Sequence, residues 1–87
     1  MLEAAPGRFS VSLEYFALFR ARAGKGGESV EIATARAADL YEEVRARYGF
    51  PLGRETVHLA INDEYAPWET PLRPGDRVVF IPPVSGG

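Results

Sequence analysis

From Arg8 to Ala17 the chain alternates: Phe9, Val11, Leu13 and Tyr15 fall on one side, Ser10, Ser12, Glu14 and Phe16 on the other. Period two with aromatic and β-branched residues predicts a strand. Phe16 breaks the scheme, a large aromatic on an otherwise polar face. Gly24-Lys25-Gly26-Gly27 follows and predicts a plain turn, since three glycines in four residues permit positive φ. Its spacing does not match a phosphate-cradling loop. Arg20, Arg22 and Lys25 flank the turn as a basic edge, and such clusters are most often solvated. Glu28 to Ala33 alternates again, Val30 and Ile32 against Ser29 and Glu31, and predicts the second strand of a hairpin.

The period then changes. Ala37, Leu40, Tyr41, Val44 and Tyr48 recur at steps of three and four, with Asp39, Glu42, Glu43, Arg45 and Arg47 opposite. This predicts one amphipathic helix of about three to four turns. Thr34 is a suitable N-cap, Gly49 a suitable left-handed stop, and Pro51 prevents continuation. Val57, Leu59 and Ile61 predict a third strand with His58 pointing outward. A lone outward histidine without a base or second ligand beside it reads as surface. Asn62-Asp63 predicts a tight turn, Glu64 to Trp68 a brief fourth strand, and Pro74-Gly75 a further turn. Trp68 reads as a core or rim plug.

Arg77 to Ile81 is the last strand. Val78 and Phe80 share one face, Val79 and Ile81 the other, so both faces are apolar. One helix covers only one face of a sheet. Val79 and Ile81, with Phe16, are therefore expected to form an apolar patch that a protein partner covers.

Composition narrows the chemistry. The chain has 87 residues, no cysteine and one histidine. Disulfides, cysteine-ligated metals and thiol nucleophiles are excluded, and a histidine metal site or catalytic triad has little to work with. The length allows one domain with a small core. Ten basic residues against twelve acidic ones give a net charge of -2, which argues against nucleic-acid binding. No apolar run spans a membrane. Residues 1–7 read as a disordered lead without signal-peptide features, so a cytoplasmic location is expected. The domain is expected over 8–81, and an extended flexible tail over 82–87.

That tail reads Pro82-Pro83-Val84-Ser85-Gly86-Gly87. Two prolines after a strand stop the ladder. Two glycines then leave a side-chain-free thread ending in a carboxylate. The bland reading is a frayed end. The functional one is that the carboxylate is the reactive group, activated inside a channel too narrow for a Cβ.

The chain resembles the ubiquitin-like sulfur-carrier family, in its molybdopterin synthase small-subunit branch. The resemblance runs from about Phe9 to Gly87. It rests on Tyr15-Phe16-Ala17-Leu18-Phe19-Arg20 with Ala23-Gly24, on Val57-His58-Leu59-Ala60-Ile61-Asn62, on Thr70-Pro71-Leu72, and above all on Pro74-Gly75-Asp76-Arg77 through Phe80-Ile81-Pro82-Pro83-Val84-Ser85-Gly86-Gly87. Asp63 stands where the family commonly has glycine, and Arg36 where it has a helix-capping threonine.

The resemblance implies an α+β, β-grasp fold: a mixed sheet of four to five strands, one main helix on one face, and the first and last strands parallel at the centre. It implies that Gly87 is adenylated by a ubiquitin-activating-type adenylyltransferase using ATP, then converted to a thiocarboxylate by a sulfur donor protein. Pro82, Pro83, Val84, Ser85 and Gly86 would thread the large subunit of molybdopterin synthase, in a heterotetramer, and Phe16, Arg20, Val79 and Ile81 would dock the body. The sulfur would go to cyclic pyranopterin monophosphate. No permanently bound cofactor or metal is expected. The chain would be a non-catalytic, sulfur-donating subunit whose catalytic groups lie on the large subunit. Carriers for thiamine or transfer-RNA thiolation, ubiquitin-like modifiers and inert interaction modules share enough of these features to stand as alternatives.

Overall fold

The structure, a computed structural model, describes residues 8–33 and 36–83. Thr34, the expected lead 1–7 and the tail residues Val84 to Gly87 lie outside the described residues. The elements are β1 (Phe9–Tyr15), α1 (Ala17–Ala23), β2 (Gly27–Ile32), α2 (Ala37–Tyr48), a single 3-10 turn (Arg54–Thr56), β3 (His58–Ile61), β4 (Glu64–Tyr65) and β5 (Arg77–Ile81). They form one five-stranded sheet in the order β2-β1-β5-β3-β4. β1 and β5 pair in parallel, Leu13 opposite Val78 and Tyr15 opposite Phe80. The other pairs are antiparallel. This is the β-grasp arrangement that the family resemblance implies.

The alternation in the strands sorts side chains into two faces. Val11, Leu13 and Tyr15 of β1, Ile32 of β2, Leu59 of β3, and Val78 and Phe80 of β5 form one core with Ala37, Leu40, Tyr41 and Val44 of α2. The expected helical stripe is thus the layer that seals the sheet. Trp68 is half-buried and plugs the rim, its ring stacked on Phe80 at 6.1 Å.

The short helix α1 is the main departure from the sequence pattern. The strand expected to run to Ala17 ends at Tyr15, and the link from β1 to β2 holds two turns of helix rather than a plain glycine turn. Ala-Leu-Phe-Arg-Ala-Arg-Ala is rich in helix formers, but seven residues are too few to show a period. The gain is burial: Phe19 is fully enclosed, 4.7 Å from the ring of Phe50 and edge-on to Tyr41 and Phe80. Gly27 then opens β2 where a Cβ would lie 2.7 Å from the Leu13 carbonyl oxygen, so no larger residue fits that close approach.

The start of α2 also differs. Arg36 is its N-cap and gives no side-chain cap. Carbonyls from the loop before β5 take that role: the Ala37 amide donates to Thr70 O (3.1 Å) and the Ala38 amide to Trp68 O (3.0 Å). These bonds satisfy amides that a helix start otherwise leaves orphaned. The other end matches expectation, with Gly49 at φ 71° and its amide on Arg45 O.

Glu28 of β2 pins β1, α2 and the turn after α1 together. Its Oε2 accepts from the hydroxyls of Tyr15 and Tyr48, each at 2.6 Å, and its Oε1 from Lys25. Burial disfavours the charge on Glu28, but the hydrogen bonds from Tyr15, Tyr48 and Lys25 together outweigh it and hold the carboxyl below its ordinary value. Burial first, and then the Glu28 bond, push the Tyr15 hydroxyl far up. A depressed carboxyl stabilises the fold above its unfolded pKa, and that contribution is lost as pH falls through the folded value. Melting temperature is therefore expected to drop on acidification below the ordinary carboxylate range. Glu28→Gln should melt lower than wild type at neutral pH and show a flatter acid limb. Parallel acid limbs in the two proteins would remove Glu28 from the explanation.

Candidate docking face and tail root

The face of the sheet away from α2 is built from the other half of the alternation. β5 contributes Arg77, Val79 and Ile81. Pairing sets Glu14 beside Val79, Ala60 across from Val79 on the other side, and Tyr65 beyond Ala60. Glu14, Phe16, Ala60, Asp63, Tyr65, Arg77, Val79 and Ile81 line one shallow hollow of about 350 Å³. Its centre is apolar. Val79 and Ala60 are each only 8% exposed, whereas Phe16 is 49% and Tyr65 77% exposed. These two are the exposed large hydrophobic residues among the described ones.

Phe16 reaches this face by a sharp change of backbone direction. It is the N-cap of α1 in extended conformation, and Ala17 after it takes φ 51°, the left-handed region that a Cβ disfavours. The chain thereby leaves β1 and folds inward to bury Phe19 while Phe16 stays outside.

Three of the four expected docking residues are brought together: Phe16, Val79 and Ile81. Arg20 is not. It borders a separate hollow of about 470 Å³ with Ala17, Ala21, Gly24, Lys25 and Gly26, its guanidinium lying along Gly26. Among the described tail residues, Pro82 is half-buried and Pro83 exposed, directly after Ile81. His58 is exposed, opposite Ile81 in register, with its ring 5.8 Å from Tyr65. It has no partner there suited to catalysis among the described residues.

The sequence pattern missed an ionic element at the other end of the hollow. Arg77 donates from one terminal nitrogen to Glu14 (2.9 Å) and from the other to Asp63. Only strand register makes these neighbours, since Glu14 and Arg77 lie 63 positions apart. Tyr65 had a weak signal, an aromatic in a two-residue strand after a tight turn. Asp76, by contrast, is structural. Its buried carboxylate accepts from the Asn62 side chain (2.9 Å) and the Arg73 amide (2.8 Å), which locks the turn after β3 to the start of β5.

The fold, and part of the sequence, is shared with known proteins. Over 83 residues, 88% of this chain and 91% of its relative, it is 36% identical to the molybdopterin synthase sulfur carrier subunit of Anopheles gambiae. A solved structure from Pyrococcus furiosus, described as molybdopterin converting factor, subunit 1, superposes with a TM-score of 0.73 at 36% identity, covering 87% of this chain and 99% of that one. A chain in the complex of subunits 1 and 2 of molybdopterin-converting factor from Helicobacter pylori superposes with a TM-score of 0.61 at 24% identity, covering 91% of this chain and 100% of that one, and shows likeness of fold alone. Residues 13–87 match the ThiS family, and the chain belongs to that family.

Proposed function

We propose that this chain is the sulfur carrier of a molybdopterin synthase, with Gly87 as its reactive residue. The observation that supports this reading best is the place of the tail. Pro82-Pro83-Val84-Ser85-Gly86-Gly87 follows directly on the central strand, and its root adjoins an exposed apolar face. The name of the Anopheles gambiae relative agrees with it.

The chemistry begins with a carboxylate, a poor electrophile. A ubiquitin-activating-type enzyme joins the Gly87 carboxylate to the α-phosphorus of ATP and releases pyrophosphate. The terminal sulfur of a persulfide on a donor protein then attacks the acyl carbon and expels AMP. A second thiol cleaves the sulfur–sulfur bond of the acyl disulfide so formed, leaving the Gly87 thiocarboxylate and a disulfide on the donor side. ATP belongs to the activating enzyme. The loaded tail enters the large synthase subunit and donates its sulfur to cyclic pyranopterin monophosphate. Phe16, Val79 and Ile81 dock the body, so that Pro82 to Gly86 point into the channel. Arg20 meets the partner from the neighbouring hollow.

The reading is tested by incubating the protein with activating enzyme, ATP and sulfur donor, and then with the large subunit and the pterin. An oxygen-for-sulfur mass change at the C-terminus followed by dithiolene formation is the expected result. Sulfur passed only to a thiamine precursor or to transfer RNA moves the protein to another pathway. Isopeptide conjugates without sulfur loading would make it a modifier.

Docking gives a separate prediction. Phe16→Asp and Ile81→Asp are each expected to weaken binding to the large subunit by about 2 kcal/mol, roughly 30-fold, as for an anchor at an interface centre. Phe16 already faces solvent, so the Phe16→Asp melt should stay near wild type. A folded Phe16→Asp protein that binds like wild type would exclude this face as the docking site.

A further inference from the structure

Resting on that docking reading, we propose that the Glu14–Arg77–Asp63 cluster is an orienting element of the face, which selects a partner surface carrying a lysine or arginine opposite it. An apolar patch alone sets neither register nor direction, and charges at its margin do.

The cluster lies at one end of the hollow and the tail root at the other. Arg77 opens β5 and Ile81 closes it, four residues on, about 13 Å away along a strand. The guanidinium is committed at both ends, to Glu14 Oε2 and to Asp63 Oδ1. The carboxylates are not fully used. Among the described residues, Glu14 Oε1 and Asp63 Oδ2 accept no hydrogen bond. Two acids against one base leave a net charge of about −1, with an open acceptor oxygen on each carboxylate. What fits there is a donor with positive charge.

The backbone at Asp63 points the same way. Asn62 and Asp63 have φ of 53° and 74°, the two-residue turn for which glycine is favoured at the second position. An aspartate there accepts a less favourable conformation than glycine would. Its carboxylate turns back to Arg77, onto the docking face, instead of into the turn. The turn itself is already fastened by Asn62 and Asp76.

The test is the association rate with the large subunit at about 50 mM and about 500 mM salt, where screening differs several-fold. Wild type should associate more slowly at high salt. Asp63→Lys should associate about 10-fold more slowly at low salt and speed up as salt is added. Asp63→Gly should melt no lower than wild type, because glycine suits φ 74°, and yet lose about 3-fold in low-salt association rate. A purely structural role for Asp63 would not split stability from association in this way. Asp63→Lys behaving as wild type at both salts, or wild type speeding up with salt, overturns the inference. Phe16→Asp separates the two layers. If it abolishes binding while Asp63→Lys changes nothing, the docking reading stands and the orienting element falls. If wild type does not bind the large subunit, both fall.

Discussion

Deleting Gly87 is expected to abolish sulfur loading while leaving the thermal melt unchanged. The two effects separate because the body and the proposed reactive group occupy different parts of the chain. Every core residue among those described precedes residue 82, and the strand ladder ends at Ile81. Removing Gly87 therefore takes nothing from that core. It moves the carboxylate back one residue, so the activating enzyme must reach an acyl carbon displaced by about 3.5 Å along an extended chain. A misplacement of about 1 Å already costs on the order of 100-fold in a positioned reaction. Loading is read by mass of the intact protein after incubation with ATP, activating enzyme and sulfur donor. Normal loading of the truncated protein would end the carrier reading, and a lowered melt would show that the tail supports the body.

Leu40→Ala should destabilise the fold by about 2–5 kcal/mol, the range for a buried leucine truncated in a core. Leu40 is 1% exposed on the inner face of α2, in the same core as Leu13, Val78 and Phe80. At roughly 0.05–0.15 kcal/mol per residue, a domain of this size has about 4–13 kcal/mol in all. One truncation thus removes a large share, and its effect exceeds anything expected from surface substitutions. Urea denaturation is the measurement, with the midpoint falling and the slope unchanged. A loss below about 1 kcal/mol would mean that α2 does not seal the sheet. Since Leu40 is far from the outer face, the fraction of Leu40→Ala that remains folded should still bind the large subunit.

The parts of this protein legible in its sequence are those where a single period dominates. The stripe of Ala37, Leu40, Tyr41 and Val44 marked α2 because three turns repeat one pattern, and Gly49 marked its end. Arg77 to Ile81 was legible as a strand apolar on both faces, and that doubling also exposed the unpaired face. The short helix α1 was not, because seven residues carry no period and the glycines after it read as the turn of a hairpin. Nor was the cap of α2, which comes from carbonyls of Trp68 and Thr70 and leaves no trace in side-chain identity. The Glu14–Arg77–Asp63 cluster joins the legible Asn62-Asp63 turn to two strand registers that a single sequence does not specify. The same separation by distance hid the role of Asp76, whose motif reads only as a turn.

The parallel pairing of β1 with β5 has a consequence for synthesis. It joins residues 12–15 to residues 77–80, so the middle of the sheet is made of the two strands farthest apart in the chain. Val78 and Phe80 of β5 are fully buried, and without them Leu13 and Tyr15 have no neighbour on that side. A nascent chain can form α2 and the β1–β2 ladder early, but non-local pairing must wait for its last partner. The core closes only after Ile81 has left the ribosome. Chains halted before Arg77 lack the central strand and leave apolar surface open to proteases and chaperones. Strand order thus works as a completeness check: every folded body has been translated at least to Ile81, where the tail begins.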